Sequence, residues 1–317
     1  MNDAAFLDRL DPALRPILES ELIPPLDFTK GAVAARERMI TMREQMAASL
    51  PEIPNVKTRD EVVAGFEGPD VTVRVYEPDE VTTDAVLYWI HGGGMVAGRY
   101  DLDDFQSKTF ASKFGAVVVS VEYRLAPEDP FPAPLNDCYA GLVWTHSQWP
   151  GRIVIAGASA GGGLAAGLAL LARDRGEVPV AAQMLIFPMI DDRDQTNSNQ
   201  EIVFPKCWNR PSNVFGWQSY LGELYGSAAV PLYAAPARAT VEDLRGLPPA
   251  YIDVGELDAF RDEDIEYAQK LLAAGVACEL LVTPGAFHAS EGYNPQAPSS
   301  KRITRSRLDW LSRALAP

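Results

Sequence analysis

The chain has 317 residues, 47% hydrophobic and 9% aromatic, which is enough to fill a sizeable core and argues against a disordered protein. Its 43 acidic and 28 basic side chains leave a formal charge of −15, a field that repels phosphate backbones and anionic lipid and so argues against nucleic-acid and membrane-surface partners. The three cysteines (Cys138, Cys207, Cys278) lie far apart with no CxxC, and there are three histidines, so neither a disulfide framework nor a structural zinc site is expected.

The N-terminal MNDAAFLDRLDPALRP carries acidic residues where a secretory leader would have a basic patch and an apolar run, so a cytoplasmic chain is expected. Residues 1–50 read as helical, with prolines at 24–25, and are expected to form a cap rather than core. Glu61–Glu67 and Val71–Glu77 alternate in polarity around Gly68-Pro69-Asp70, a hairpin signal. Apolar runs at Ala85–Ile90, Ala116–Val121, Ile153–Ala156, Ala181–Phe187, Ala250–Val254 and Ala277–Val282 read as buried strands. Helical stretches alternate with them near 102–114, 134–148, 160–175, 261–274 and 300–314, so a mostly parallel sheet of about eight strands, covered on both faces, is expected. Ala160–Ala172 is rich in Gly and Ala and stops at Arg173-Asp174-Arg175, too short to cross a bilayer.

One interval breaks the rhythm. Roughly 60 residues separate Phe187 from Ala250, against the usual ~2–6 in such connections. It holds Trp208, Phe215, Trp217, Tyr220, Tyr225 and Tyr233. The segment at about 188–245 is therefore expected to be an insertion over the carboxyl edge of the sheet, its aromatics either lining a substrate cavity or, for most of them, forming its own core. The rest of 51–317 is read as the catalytic domain.

Ile153-Val154-Ile155-Ala156-Gly157-Ala158-Ser159-Ala160-Gly161 is an apolar strand entering G-x-S-x-G with a small-residue helix directly after it. Such an elbow lifts the serine hydroxyl above the sheet edge, at the positive end of the helix. The motif alone also arises as a glycine-rich turn with an incidental serine; its place between strand and helix favours a nucleophile. Upstream, a strand runs into His91-Gly92-Gly93-Gly94. Consecutive glycines let backbone N–H groups face the oxyanion of an acyl transfer, so Gly92 and Gly93, with the N–H of Ala160, are candidate oxyanion donors.

Gly92-x-Gly94-x-x-Ala97 also has a superficial dinucleotide-binding look, but Gly98-Arg99-Tyr100-Asp101 intervenes before any helix. The acidic Glu122 stands nearer 30 than the ~20 residues downstream such a site uses.

A nucleophilic serine needs a base, and the base an orienting carboxylate, in the order Ser, Asp/Glu, His. His288, just past the last expected strand, is the one histidine after Ser159. His146 falls within a helix and His91 introduces the glycine loop. Among Asp253, Glu256, Asp258 and Asp262, Asp258 is best placed, in the loop after a strand; Asp253 is within the strand and Asp262 in the first helical turn.

Together these segments resemble the bacterial branch of the hormone-sensitive-lipase family of esterases, from about Ala85 to His288. HGGG at His91–Gly94 is joined by Glu122-Tyr123-Arg124-Leu125-Ala126-Pro127-Glu128 with Phe131-Pro132-Ala133 and Asp137, similar to the family's YRLAPE…FPA. The elbow and Asp258-Ala259-Phe260-Arg261-Asp262-Glu263, similar to DPLRDE, complete the likeness. Arg124 is expected to be satisfied by carboxylates such as Glu128 or Asp137. The chain departs from the family's GDSAGG at Ala158, from Pro-Leu at Ala259-Phe260 and from Gly-Phe at Ala289-Ser290.

The resemblance implies an α/β-hydrolase fold with a helical cap, and a carboxylesterase with Ser159, Asp258 and His288 as its triad. Short- to medium-chain esters are the expected substrates, with a lactone, N-acyl or carbamate hydrolase as the alternative on the same triad. No cofactor or metal is called for. The expected partner is a small-molecule ester, without nucleic acid or stable membrane association, and a homodimer is compatible with the sequence.

Overall fold

The computed structural model describes residues 1–21, 23–28, 31–48 and 50–316. Ahead of the sheet come α1 (Asp3–Arg9), α2 (Arg15–Glu19) and α3 (Ala32–Ala47). The chain then runs β1 (Val56–Val63), β2 (Val71–Pro78), β3 (Val86–Ile90), α4 (Asp104–Phe114), β4 (Val117–Glu122), α5 (Ala133–Gln148), β5 (Ile153–Ala158), α6 (Ala160–Arg175) and β6 (Val180–Ile186). After α7 (Asn197–Glu201) and α8 (Arg210–Leu221) come β7 (Ala250–Leu257), α9 (Arg261–Ala273), β8 (Cys278–Phe287), α10 (Ser290–Tyr293) and α11 (Pro298–Ala314).

The strands form one eight-stranded sheet in the order β1-β2-β4-β3-β5-β6-β7-β8. β1 and β2 pair antiparallel, as do β2 and β4; every other pairing is parallel. β3, with sequence VLYWI, is buried at every position, as a parallel strand covered on both faces must be. This is the mostly parallel sheet flanked by helices that the alternating pattern implied.

The first hairpin differs from expectation in one respect. Its first strand is Val56–Val63, not 61–67, with Val63 opposite Val71. At the sheet edge Lys57, Arg59 and Asp60 stay in water, so this strand lacks the apolar alternation that marks the others. Arg124 also differs in part: it pairs with Asp137 at 2.8 Å and Asp129 at 3.5 Å, whereas Glu128 belongs to Arg36 at 2.9 Å.

The N-terminal segment and the 188–245 interval meet across the carboxyl edge of the sheet. Phe6 stacks on Phe204 at 4.7 Å, and the Leu26 N–H donates to the Pro205 carbonyl at 2.8 Å. Phe28 packs on Phe215 at 4.8 Å and on Trp208 at 5.9 Å. Arg36 of α3 reaches past them and donates to the Val96 carbonyl at 2.9 Å, just beyond the glycine loop. Within the interval, Trp217 and Tyr220 are buried beside one another, as a local core would have them. Among the described residues no helix is long and apolar enough to cross a membrane.

Candidate active site

Ser159 leaves the carboxyl end of β5 at φ 58° and ψ −121°, and α6 begins at the next residue. A non-glycine residue held there costs about 1–3 kcal/mol, so the surroundings must enforce it. They do so through the backbone: the Ser159 N–H donates to the Ile186 carbonyl at 2.8 Å, and its own carbonyl accepts from Gly163 and Met189 at 3.0 Å. The motif's two glycines have a steric reason. A Cβ at Gly157 would lie 2.2 Å from the Gly161 oxygen, and one at Gly161 only 2.1 Å from the Ile90 oxygen.

Because both of those obstacles are backbone, Gly161→Ala is expected to destabilise the fold by ~3 kcal/mol or more. Thermal melting checks this; a variant melting within a degree or two of the parent would mean the elbow relaxes freely.

His288 follows β8 directly and brings Nε2 to 3.0 Å from Ser159 Oγ. Its Nδ1 stands 2.8 Å from Asp258 Oδ2. A carboxylate only accepts, so Nδ1 carries the proton and Nε2 is left as the acceptor facing the serine hydroxyl. Asp258 sits one residue past β7, fully buried, and its Oδ1 accepts the Phe260 N–H at 3.0 Å. Ser159 is 7% exposed and His288 9%, so the three groups form a nearly dry relay.

The glycine loop lies against this relay. A Cβ at Gly92 would come within 3.3 Å of the Ser159 Cβ, and Gly93 adopts φ 136°, which side chains rarely reach. Among the described residues, the N–H groups of Gly92, Gly93 and Ala160 donate to no protein acceptor. Ala160 is the first residue of α6, where an unpaired N–H and the helix dipole both favour negative charge.

The other sequence candidates have structural partners. Asp253 binds Arg307 at 2.6 Å, Glu256 binds Arg9 at 2.7 Å, and Asp262 receives Arg261 at 2.7 Å and the Ser198 N–H at 2.8 Å. His91 stacks on Tyr123 at 4.2 Å, and burial lowers its pKa to about 4, keeping it neutral. His146 lies in the last turn of α5.

Sequence reasoning offered Trp208 as a cavity-lining candidate but did not anticipate Phe187 and Phe260 beside His288. Phe187 and Phe260 meet the imidazole edge-on at 4.6 and 5.2 Å, and Trp208 stands at 6.3 Å. Trp208 also presses on Gly94, where a Cβ would fall 2.2 Å from its ring. Glu263 had no assigned role; it accepts the N–H groups of Ile190 and Asp191 at 3.0 and 3.1 Å and the Asn199 amide at 2.8 Å. It thus ties the start of the 188–245 interval to the helix following Asp258. The motif-like position of Glu263 was the available signal. Among the described residues, no group of His, Cys, Asp and Glu side chains could hold a metal ion.

A family model described as alpha/beta hydrolase fold matches residues 87–291. The chain is similar to the carboxylesterase NlhH of Mycobacterium tuberculosis, 34% identical over 318 residues and 96% of each chain. It is similar to the solved structure of a bacterial heroin esterase, with a TM-score of 0.92 at 42% identity over 98% of this chain and 99% of that one. Arylacetamide deacetylase of Oryctolagus cuniculus is 28% identical over 330 residues, 83% of each chain.

Proposed function

From the premise that the chain belongs to the alpha/beta hydrolase fold family, among its hormone-sensitive-lipase-like esterases, we propose that it is a carboxylesterase working through Ser159, His288 and Asp258. The observation that carries this reading is the relay of 3.0 and 2.8 Å leading from the Ser159 hydroxyl through His288 to the buried Asp258.

Ser159 Oγ attacks the ester carbonyl while His288 Nε2 takes its proton. The carbonyl oxygen becomes an oxyanion, which the N–H groups of Gly92, Gly93 and Ala160 receive. Asp258 stabilises the imidazolium and holds its tautomer. The tetrahedral species collapses, the C–O bond to the alcohol breaks, and His288 returns the proton to the departing oxygen. Water then attacks the acyl-serine by the same sequence, releasing the acid and restoring Ser159. Ala158, where the family often has an aspartate, contributes no charge to these steps.

Residues 1–50 and 188–245 act as a cap that limits the size of the acyl chain, a reading supported by the Phe28, Trp208 and Phe215 contacts beside the site. Each buried methylene adds about 0.8 kcal/mol until the chain outgrows its pocket, so activity on soluble esters is expected to peak at about two to eight acyl carbons. A series of p-nitrophenyl esters from acetate to palmitate measures it. A rate still rising at palmitate, with activation at an oil–water interface, would indicate a lipase and remove the compact cap.

The arylacetamide deacetylase relationship favours a second activity on N-acyl aromatic amines, which an anilide assay beside the ester series would read. A cytoplasmic setting belongs to the same reading and is supported by three cysteines that stand as free thiols.

A further inference from the structure

Helix α11 carries Arg307, a residue only 7% exposed. Its Nε and Nη2 donate to Asp253 Oδ2 and Oδ1 at 2.6 and 2.8 Å, and its Nη1 donates to Glu291. Asp253 lies on β7, the strand that delivers Asp258. Glu291 lies on α10, in the turn that follows His288. The guanidinium carbon also stands 5.2 Å from the centre of the Phe187 ring, and that ring meets the His288 imidazole at 4.6 Å and 63°.

Phe187 is itself constrained. Its backbone sits at φ 34°, in the left-handed region that bulky residues avoid, and its N–H donates to the Asp253 carbonyl at 2.7 Å. One buried side chain therefore meets the strand of the acid, the turn of the base and a ring packed on the base.

A planar guanidinium suits this task, because its fork of donors can hold two carboxylates at fixed angles while its face lies near an aromatic ring. Stability alone does not call for it, since well-packed apolar residues commonly replace buried ion pairs without loss.

We propose that Arg307 is a positioning residue for His288, holding the imidazole through Glu291 and Phe187 at the angle where Nε2 faces Ser159 and Nδ1 faces Asp258. The proposal rests on the reading of those three residues as the catalytic relay. Loosening the network lets the imidazole rock, which slows proton transfer but leaves ester binding alone, so the loss falls on kcat and not on KM.

The test uses the full chain and four variants: Glu291→Ala, Arg307→Lys, the two combined, and Arg313→Ala. Arg313 is the control, an exposed residue of the same helix paired with Glu279. Competent sites are counted by stoichiometric organophosphate labelling, and kcat per labelled site, KM and Tm are measured. Both single variants are expected to lose about tenfold in kcat per site with KM within about twofold, whatever happens to Tm. The combined variant is expected to lose little more than the worse single one, because both act on one linkage. Arg313→Ala is expected to match the parent.

Parental kcat per site in both single variants, or a raised KM with kcat unchanged, would overturn the proposal and leave the network a structural one. If Arg307→Lys does not fold, Glu291→Ala decides, since it keeps Arg307 paired with Asp253. A parent protein that hydrolyses no ester and takes up no organophosphate would instead remove the relay itself, a result distinct from either.

Discussion

Ser159→Ala is expected to lower kcat on an activated ester by about 10⁶-fold while leaving the melting temperature close to the parent's. The size of the effect follows from the geometry. Ser159 Oγ stands 3.0 Å from His288 Nε2 and beside three N–H groups that donate to no acceptor among the described residues, so one atom both forms the acyl-enzyme bond and leaves it in the proposed cycle. The alanine removes that atom and little else, because the elbow is held by backbone hydrogen bonds to Ile186, Gly163 and Met189. An organophosphate should label the parent at Ser159 alone, which peptide mass spectrometry reads directly. Parental turnover in the alanine variant would end the whole reading of the site.

The second large effect separates two acids four residues apart. Asp258→Asn is expected to reduce kcat by about 10⁴-fold, because an amide facing Nδ1 favours the wrong imidazole tautomer and gives the imidazolium no counter-charge. Asp262→Asn is expected to cost about 1–2 kcal/mol of stability and little activity, since Asp262 faces Arg261 and the Ser198 N–H and not the histidine. Steady-state rates on p-nitrophenyl butyrate, alongside thermal melts, compare the pair. A crippled Asp262 variant beside a nearly normal Asp258 variant would reverse the assignment.

How much of this could be read beforehand depended on whether the signal was local. The central strands were legible because Val86–Ile90 is wholly apolar and Val117–Val121 is apolar but for Ser120, both rich in β-branched or aromatic residues, a pattern that burial on both faces imposes. The elbow and glycine loop were legible because steric necessity writes glycine into fixed spacings around one serine. β1 was misplaced because an edge strand keeps its charges in water and shows no alternation over Lys57–Glu61.

What the sequence hid was assembled by folding from distant pieces. Phe187, Trp208, Phe260 and Arg307 surround or support His288, yet they come from the end of β6, the 188–245 interval, the loop before α9 and the C-terminal helix. Arg307 is especially well disguised. In Lys301-Arg302-Ile303-Thr304-Arg305-Ser306-Arg307 it looks like one more solvated arginine, whereas Arg302 and Arg305 are exposed and Arg307 is buried. Only its position on the helix turns it towards Asp253.

The pairing of Ile90 with Gly157 puts the glycine loop and the nucleophile elbow on neighbouring parallel strands, one interstrand step of about 4.8 Å apart. Backbone hydrogen bonds set that step, and it stays the same whatever side chains surround it. The sheet is therefore a ruler for the proposed reaction, while Trp208, with Phe28 against it and Phe215 against Phe28, is the gauge in the proposed cap. If the cap gauges the ester as proposed, the two are separately adjustable in evolutionary terms: substitutions at the aromatic positions would reorder the accepted esters, generation after generation, while the interstrand step stays as the backbone sets it.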